Sequence, residues 1–285
     1  MLGSVRSSSL ALALAAICAA SALGAETGAK PAPAPARVVS INLCTDQLAM
    51  LLAAPGQLRS VTMLARDPTV SVLAERAQAY RTNHGHAEEV YLDWPDLVLA
   101  GRYTAQATVN MLRGLGIRVE IFEPAQSFNA LQEDILQMGR VLGREPQARA
   151  MVDDFSKRLA ALRASAPKGP RDVAATWAAR GYMSGSQSLA AEIITTAGFA
   201  PLAVKLGRKA GSFLPLEALV MADPDLVIAG QSRAGHAHSE DMLAHPALRS
   251  LTGRQTALQS NAWVCGLPAV LEAVVALRAT EGGTP

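Results

Sequence analysis

Aromatic residues make up only 4% of the 285-residue chain, and cysteine occurs three times. With so few rings, and no run of Lys or Arg interleaved with them, the chain lacks a stacking platform for single-stranded nucleic acid. The near balance of 26 basic against 24 acidic residues likewise provides no basic field to hold a duplex. No stretch after Leu23 is apolar for long enough to cross a bilayer. Signatures of catalysis are missing too. There is no G-x-x-x-x-G-K-[ST] and no G-x-G-x-x-G behind the first strand, and Ser184 stands in G-Y-M-S-G rather than in a G-x-S-x-G elbow. No carboxylate and histidine are paired by spacing, so the residues favour a binding protein over an α/β enzyme.

What is present begins with Arg6 and the apolar run from Leu10 to Leu23, too short for a comfortable membrane span and ending in small residues. This reads as a secretory signal over residues 1–25, cut near Gly24 or Ala25. Cys18 follows Ile17, where lipid attachment normally needs a small residue, so it belongs to the discarded segment. Residues 26–36, in which Pro31, Pro33 and Pro35 alternate with Ala, form an extended linker. The mature protein is therefore expected in the periplasm as a monomer. In that oxidising compartment Cys44 and Cys265 either form one bridge or act as two buried apolar residues.

From Arg37 onward, short β-branched runs alternate with helical periodicity. Strands are expected over Val38–Ile41, Ser60–Leu64, Leu97–Ala100 and Arg118–Phe122, with a helix after the first capped by Thr45 or Asp46. The second half repeats the logic with strands at Asp172–Trp177 and Leu226–Ala229 and a helix over Ser188–Ala197. Pro95-Asp-Leu-Val-Leu-Ala-Gly101 recurs as Pro224-Asp-Leu-Val-Ile-Ala-Gly230, and Glu88 and Glu217 each precede the repeat's proline by seven residues. One plan used twice means two lobes. Between them, residues 145–166 contain no Gly, and their apolar positions Met151, Val152, Phe155, Leu159 and Leu162 fall on one helical face. Such a helix spans roughly 30 Å and ties the halves stiffly. The expected organisation is an α/β protein with an N-terminal lobe over 37–143, a connecting helix over 144–167 and a C-terminal lobe over 168–285, each lobe Rossmann-like with a parallel sheet.

At this point the residues resemble the iron-siderophore and vitamin B12 (cobalamin) class of periplasmic solute-binding proteins of ABC transporters. The resemblance is carried by Arg37-Val-Val-Ser-Ile-Asn-Leu-Cys-Thr-Asp46, by Gly85-His-Ala-Glu-Glu89 before Pro95-Asp-Leu-Val98, by Met183-Ser-Gly-Ser186 with Ala197-Gly198, and by Leu216-Glu217 before Pro224-Asp-Leu-Val227. It implies class III architecture: two lobes, one rigid connecting helix, a ligand held between the lobes and modest closure. It also implies that one exposed glutamate per lobe, here Glu88 and Glu217, pairs with arginines of the permease dimer. One carboxylate per lobe suits a twofold partner, although both positions equally suit a helix's first turn, and Glu89 adjoins the first.

Ligands of open parallel sheets bind beyond the carboxyl ends of the strands. The loops there carry Arg66, Arg102, Tyr103, Arg180, Tyr182, Arg233 and Trp263. Guanidinium groups beside rings suit a large, partly anionic ligand, which tilts the expectation toward a ferric siderophore over cobalamin, with haem also compatible. The alternative is a zinc or manganese protein using His84, His86, His236, His238 and His245, but no third ligand has a convincing spacing, and neither a resident metal nor a cofactor is expected. A bridge between Cys44 at the cleft and Cys265 on the facing rim would restrain lobe opening.

Overall fold

A computed structural model describes residues 33–169, 171–230, 245–249, 251, 254–257 and 261–280. The N-terminal half runs β1 (Val38–Ser40), α1 (Leu43–Leu52), β2 (Leu58–Thr62), α2 (Ala74–Ala77), β3 (Arg81–Asn83), α3 (Ala87–Tyr91), β4 (Leu97–Gly101), α4 (Gln106–Gly114) and β5 (Val119–Phe122). Its five strands form one parallel sheet in the order β3-β2-β1-β4-β5. β4 reads Leu-Val-Leu-Ala-Gly and is buried throughout, as a strand covered by helices on both faces must be.

Helices α5 (Phe128–Leu142) and α6 (Glu145–Ala164) follow. The second half continues with β6 (Val173–Trp177), β7 (Tyr182–Met183), α7 (Leu189–Ala197), β8 (Ala200–Pro201), α8 (Leu202–Lys205), β9 (Ser212–Phe213), α9 (Leu216–Ala222), β10 (Leu226–Ala229), α10 (Pro246–Arg249), β11 (Arg254–Ala257) and α11 (Val270–Ala279). Its main sheet is parallel in the order β11-β10-β6-β8, and β7 and β9 pair as an antiparallel ribbon. The chain is thus an α/β protein of two lobes built on parallel sheets, with α6 a 20-residue rod whose proline falls in the first turn, where no helical hydrogen bond is lost.

The sequence repeat has a structural meaning. In both lobes the repeated strand, β4 or β10, lies between the lobe's first strand and its edge strand. The Asp96 carboxylate accepts the backbone N–H groups of Ala36 and Arg37, each at 3.0 Å, at the entry to β1. Asp225 accepts the N–H of Val173 at 2.7 Å at the entry to β6. The residues before the repeat's prolines, Trp94 and Asp223, both have positive φ, 47° and 39°. The same bend and the same carboxylate clip therefore start each lobe.

One local expectation is corrected. The cap of α1 is Asn42, whose Oδ1 accepts from Cys44 N at 3.0 Å and Thr45 N at 3.3 Å. Thr45 is already inside the helix and donates back to the Asn42 carbonyl, while Asp46 turns inward to Thr62. Gly101 makes the cap possible, because a Cβ there would lie 2.6 Å from the Asn42 amide. Helix α5 is an addition that the sequence pattern did not single out. It is capped by Ser127, which accepts from Ala130 N, and ends on Gly143 in the left-handed region.

α5 and α6 are bound closely, since Gly139 admits the Ala148 methyl where any side chain would collide with it. Phe128 and Phe155 meet edge to face at 5.8 Å. The largest apolar cluster runs without a break from β1, β2 and β4 through α5 and α6 into α7, β10 and α11. Both lobes are thus founded on one common core.

Candidate functional site

A cleft of about 450 Å³ opens between the lobes beyond the carboxyl ends of β1, β4 and β6. The N-terminal lobe contributes Asn42, Cys44, Thr45 and Leu48 from the start of α1, Arg102 and Tyr103 after β4, the segment Phe122–Gln126 after β5, and Asp134 from α5. The C-terminal lobe contributes Tyr182, Ser184 and the first turn of α7, and Trp263 with its neighbours closes the end.

Four of the sequence-predicted ligand residues come together here: Arg102, Tyr103, Tyr182 and Trp263. Tyr103 is 86% exposed and stands free at the mouth. Tyr182, in β7 of the ribbon, is held against the paired strand β9, edge-on to Phe213 at 6.1 Å, and its hydroxyl fits only because Gly211 carries no side chain. Arg102 is exposed, with Nε 3.9 Å from the Glu123 carboxylate.

Two of the expected arginines do not line this cleft. Arg66 ends a 3-10 turn and donates to the carbonyls of Tyr80 at 2.5 Å and Ala77 at 3.4 Å, so its guanidinium is used to hold α2 rather than to line the cleft. Arg180 sits in the tight turn after β6 at φ 61° and is exposed outside the cleft. Arg233 lies outside the described residues.

The cleft also contains groups that sequence reasoning missed. Asp134 has its carboxyl pushed up to about 6, first by burial and then by the neighbouring Glu133 and Glu123. Behind the cleft, Asp46 is pushed up to about 7 by burial, even though its Oδ2 accepts from Thr62 N at 3.1 Å and Thr62 Oγ1 at 2.5 Å. The other Asp46 oxygen is buried without a partner, which accounts for the preference for a proton. α5's apolar spacing and Ser127 cap were the signals that could have placed Asp134 on a cleft-facing helix.

The lobes are fastened to one another around this cleft. Cys44 at the start of α1 is bonded to Cys265, 221 residues away, with the two Cα atoms 5.3 Å apart. Beside the bridge, Asn261 Nδ2 donates to the carbonyls of Pro68 at 3.0 Å and Ser71 at 3.1 Å. On the α7 side, Glu192 accepts the N–H of Phe128 at 2.6 Å and completes the first turn of α5 from the other lobe.

The described histidines do not converge. His84 and His86 stack at 6.4 Å, but His84 faces Glu89, and His245 accepts from Ala247 N at the start of α10. Among the described residues no group of three His, Cys, Asp or Glu side chains is placed to hold a metal ion. His236 and His238 lie outside the described residues. Glu88 and Glu217 occupy the same place in their lobes, the second residue of α3 and of α9, and both are exposed.

Solved structures of similar fold include the periplasmic heme-binding protein HutB of Vibrio cholerae, at a TM-score of 0.71 and 20% identity over 87% of this chain and 99% of that one. A protein of an ABC-type Fe3+-hydroxamate transport system from Saccharomonospora viridis follows at 0.64 and 18% identity, over 88% and 94% of the two chains. The periplasmic vitamin B12 binding protein BtuF of Vibrio cholerae matches at 0.63 and 15% identity, over 86% and 96%. No curated protein matches the sequence significantly. The family model described as periplasmic binding protein matches residues 38–261, which takes in both sheets and the cleft lining apart from Trp263–Gly266, and the chain belongs to that family.

Proposed function

We propose that the protein is the exported substrate-binding component of an ABC importer, holding an iron chelate, haem or a corrinoid in the cleft and delivering it to the permease. The observation that carries this reading is the composition of the cleft: Arg102 and Tyr103 on one wall, Tyr182 on the other and Trp263 at the end, around about 450 Å³. Flat apolar rings with a few convergent polar groups suit a large ligand whose surface is mostly buried when bound. Solved structures of similar fold, a heme-binding protein, a protein of an Fe3+-hydroxamate transport system and a vitamin B12 binding protein, support the same class. One arginine faces two carboxylates, Glu123 and Asp134, so the cleft gives the anionic ferric siderophore no advantage over the other two.

Glu88 and Glu217 serve as the permease contacts, one per lobe, and residues 1–25 serve as the export signal. The function is tested by thermal shift and fluorescence quenching of the mature protein against ferric siderophores, haemin, cobalamin, zinc and manganese. A saturable rise in melting temperature with a chelate or corrinoid, lost in Arg102→Ala, supports the reading through mass action. A response to zinc or manganese alone, or to none of the probes, sinks it.

A further inference from the structure

We propose that the Cys44–Cys265 bridge is a thiol-exchange site in the wall of the cleft, and that its reduction by a dithiol loosens segment 261–267 against the N-terminal lobe. Both cysteines line the cleft, but unequally. Cys44 is half-buried and Cys265 is 3% exposed, so an incoming thiolate meets the Cys44 sulfur first. Attack there makes Cys265 the leaving group, and that sulfur is met by the side-chain amide of Gln47, whose Nε2 lies 3.5 Å away. Gln47 is fully buried, and its Oε1 accepts from Ser71 Oγ at 3.2 Å and Val72 N at 2.8 Å. Those two bonds fix which end of the amide faces the sulfur. A donor held there strengthens its bond as negative charge develops, and Cys44 itself sits at the start of a 10-residue helix, where a thiolate is favoured.

The step balances as an ordinary exchange. One thiolate of the dithiol bonds to the Cys44 sulfur while the bridge breaks and its electron pair leaves on Cys265. The second thiol then attacks the mixed disulfide, releases Cys44 and closes the reductant's own disulfide. The two protons of the dithiol end on the two cysteines.

With the bridge open, segment 261–267 loses its covalent tie to the other lobe and keeps the Asn261 bonds, the approach of Gly266 to Ala125 and Leu131, and the packing of Ala262 and Leu267 in the shared core. Trp263 belongs to this segment, so the end wall of the cleft loosens with it.

The test uses the mature protein in mixtures of reduced and oxidised dithiothreitol, with alkylation of free thiols, far-UV circular dichroism and hydrogen exchange read by mass spectrometry. The expected result is reduction of the bridge with the folded spectrum retained, exchange at 261–267 several-fold faster, and unchanged exchange in β1 to β5. Reduction that occurs only as the protein unfolds, or exchange at 261–267 that stays the same, overturns the proposal. Gln47→Met, of similar size but without a donor, should slow reduction about tenfold, the effect of one hydrogen bond to a charged group. An unchanged rate removes Gln47 from the mechanism. No cleft ligand enters either arm, so the outcome stands apart from the proposed function.

Discussion

Glu89 accepts the backbone N–H of His84 at 2.8 Å and lies 3.3 Å from the His84 ring, which holds its carboxyl below the usual range. Glu88, one residue earlier, has no ion pair among the described residues and is exposed. Of the two neighbouring carboxylates, one thus closes the loop before α3 and the other stands exposed, as the proposed permease contact requires. Glu88→Ala and Glu217→Ala should each cut ligand-stimulated ATPase activity of the reconstituted importer while leaving ligand affinity unchanged. Glu89→Ala should spare the stimulation. Equal loss in all three variants would return these residues to ordinary helix first-turn roles.

Asp46 makes stability depend on pH. Its carboxyl keeps a proton up to about pH 7 in the folded protein, whereas the unfolded chain releases it near 3.8. Below that value both states are protonated and Asp46 takes nothing from stability. As pH rises toward 7 the unfolded state alone loses the proton, and the fold weakens by a few kcal/mol, at about 1.4 kcal/mol per unit of separation. Urea titrations at pH 4.5 and pH 8 should show this loss, and Asp46→Asn should flatten it.

Asp134 should give binding its own pH dependence. At neutral pH it adds negative charge to a wall that already holds Glu123, with Glu133 nearby and Arg102 as the facing cation. An anionic ligand should bind more tightly as pH falls through about 6 and the carboxyl takes up its proton. Asp134→Asn should bind at neutral pH as the natural chain does in mild acid, which titration calorimetry at pH 5 and pH 7.5 would check.

Gly101→Ala tests the approach of β4 to the α1 cap. The added methyl would collide with the Asn42 amide, so the protein must either displace the cap or strain the strand. Losing an N-cap costs about 0.5–2 kcal/mol and overpacking about 1–3 kcal/mol. Chemical denaturation should find a loss within that span, with Asn42→Ala producing part of it.

Much of the fold was legible because buried parallel strands leave unbroken apolar runs: Leu97–Gly101 and Leu226–Ala229 lie almost where the pattern put them. The repeat was informative for a reason that spacing alone could not give. Its Asp is a clip for the neighbouring strand, and the bend before its proline needs positive φ. Of the site, the aromatic positions were legible because rings beside strand ends have few other uses in a chain so poor in them. Arg66 misled because an arginine after a strand is equally able to hold backbone carbonyls, as it does for Tyr80 and Ala77. Asp134 was missed because it lies on a helix, and a carboxylate among the polar residues of an amphipathic helix looks solvated until the tertiary fold sets that face against a cleft.

The core shared by the two lobes bears on how an importer could tell a loaded molecule from an empty one. Lobes resting on common helices, sewn together by Cys44 and Cys265, have little hinge travel with which to announce occupancy. Under the proposed function the message would then be local, carried by the cargo at the mouth of the cleft and by the exposed ring of Tyr103 against which it would lie.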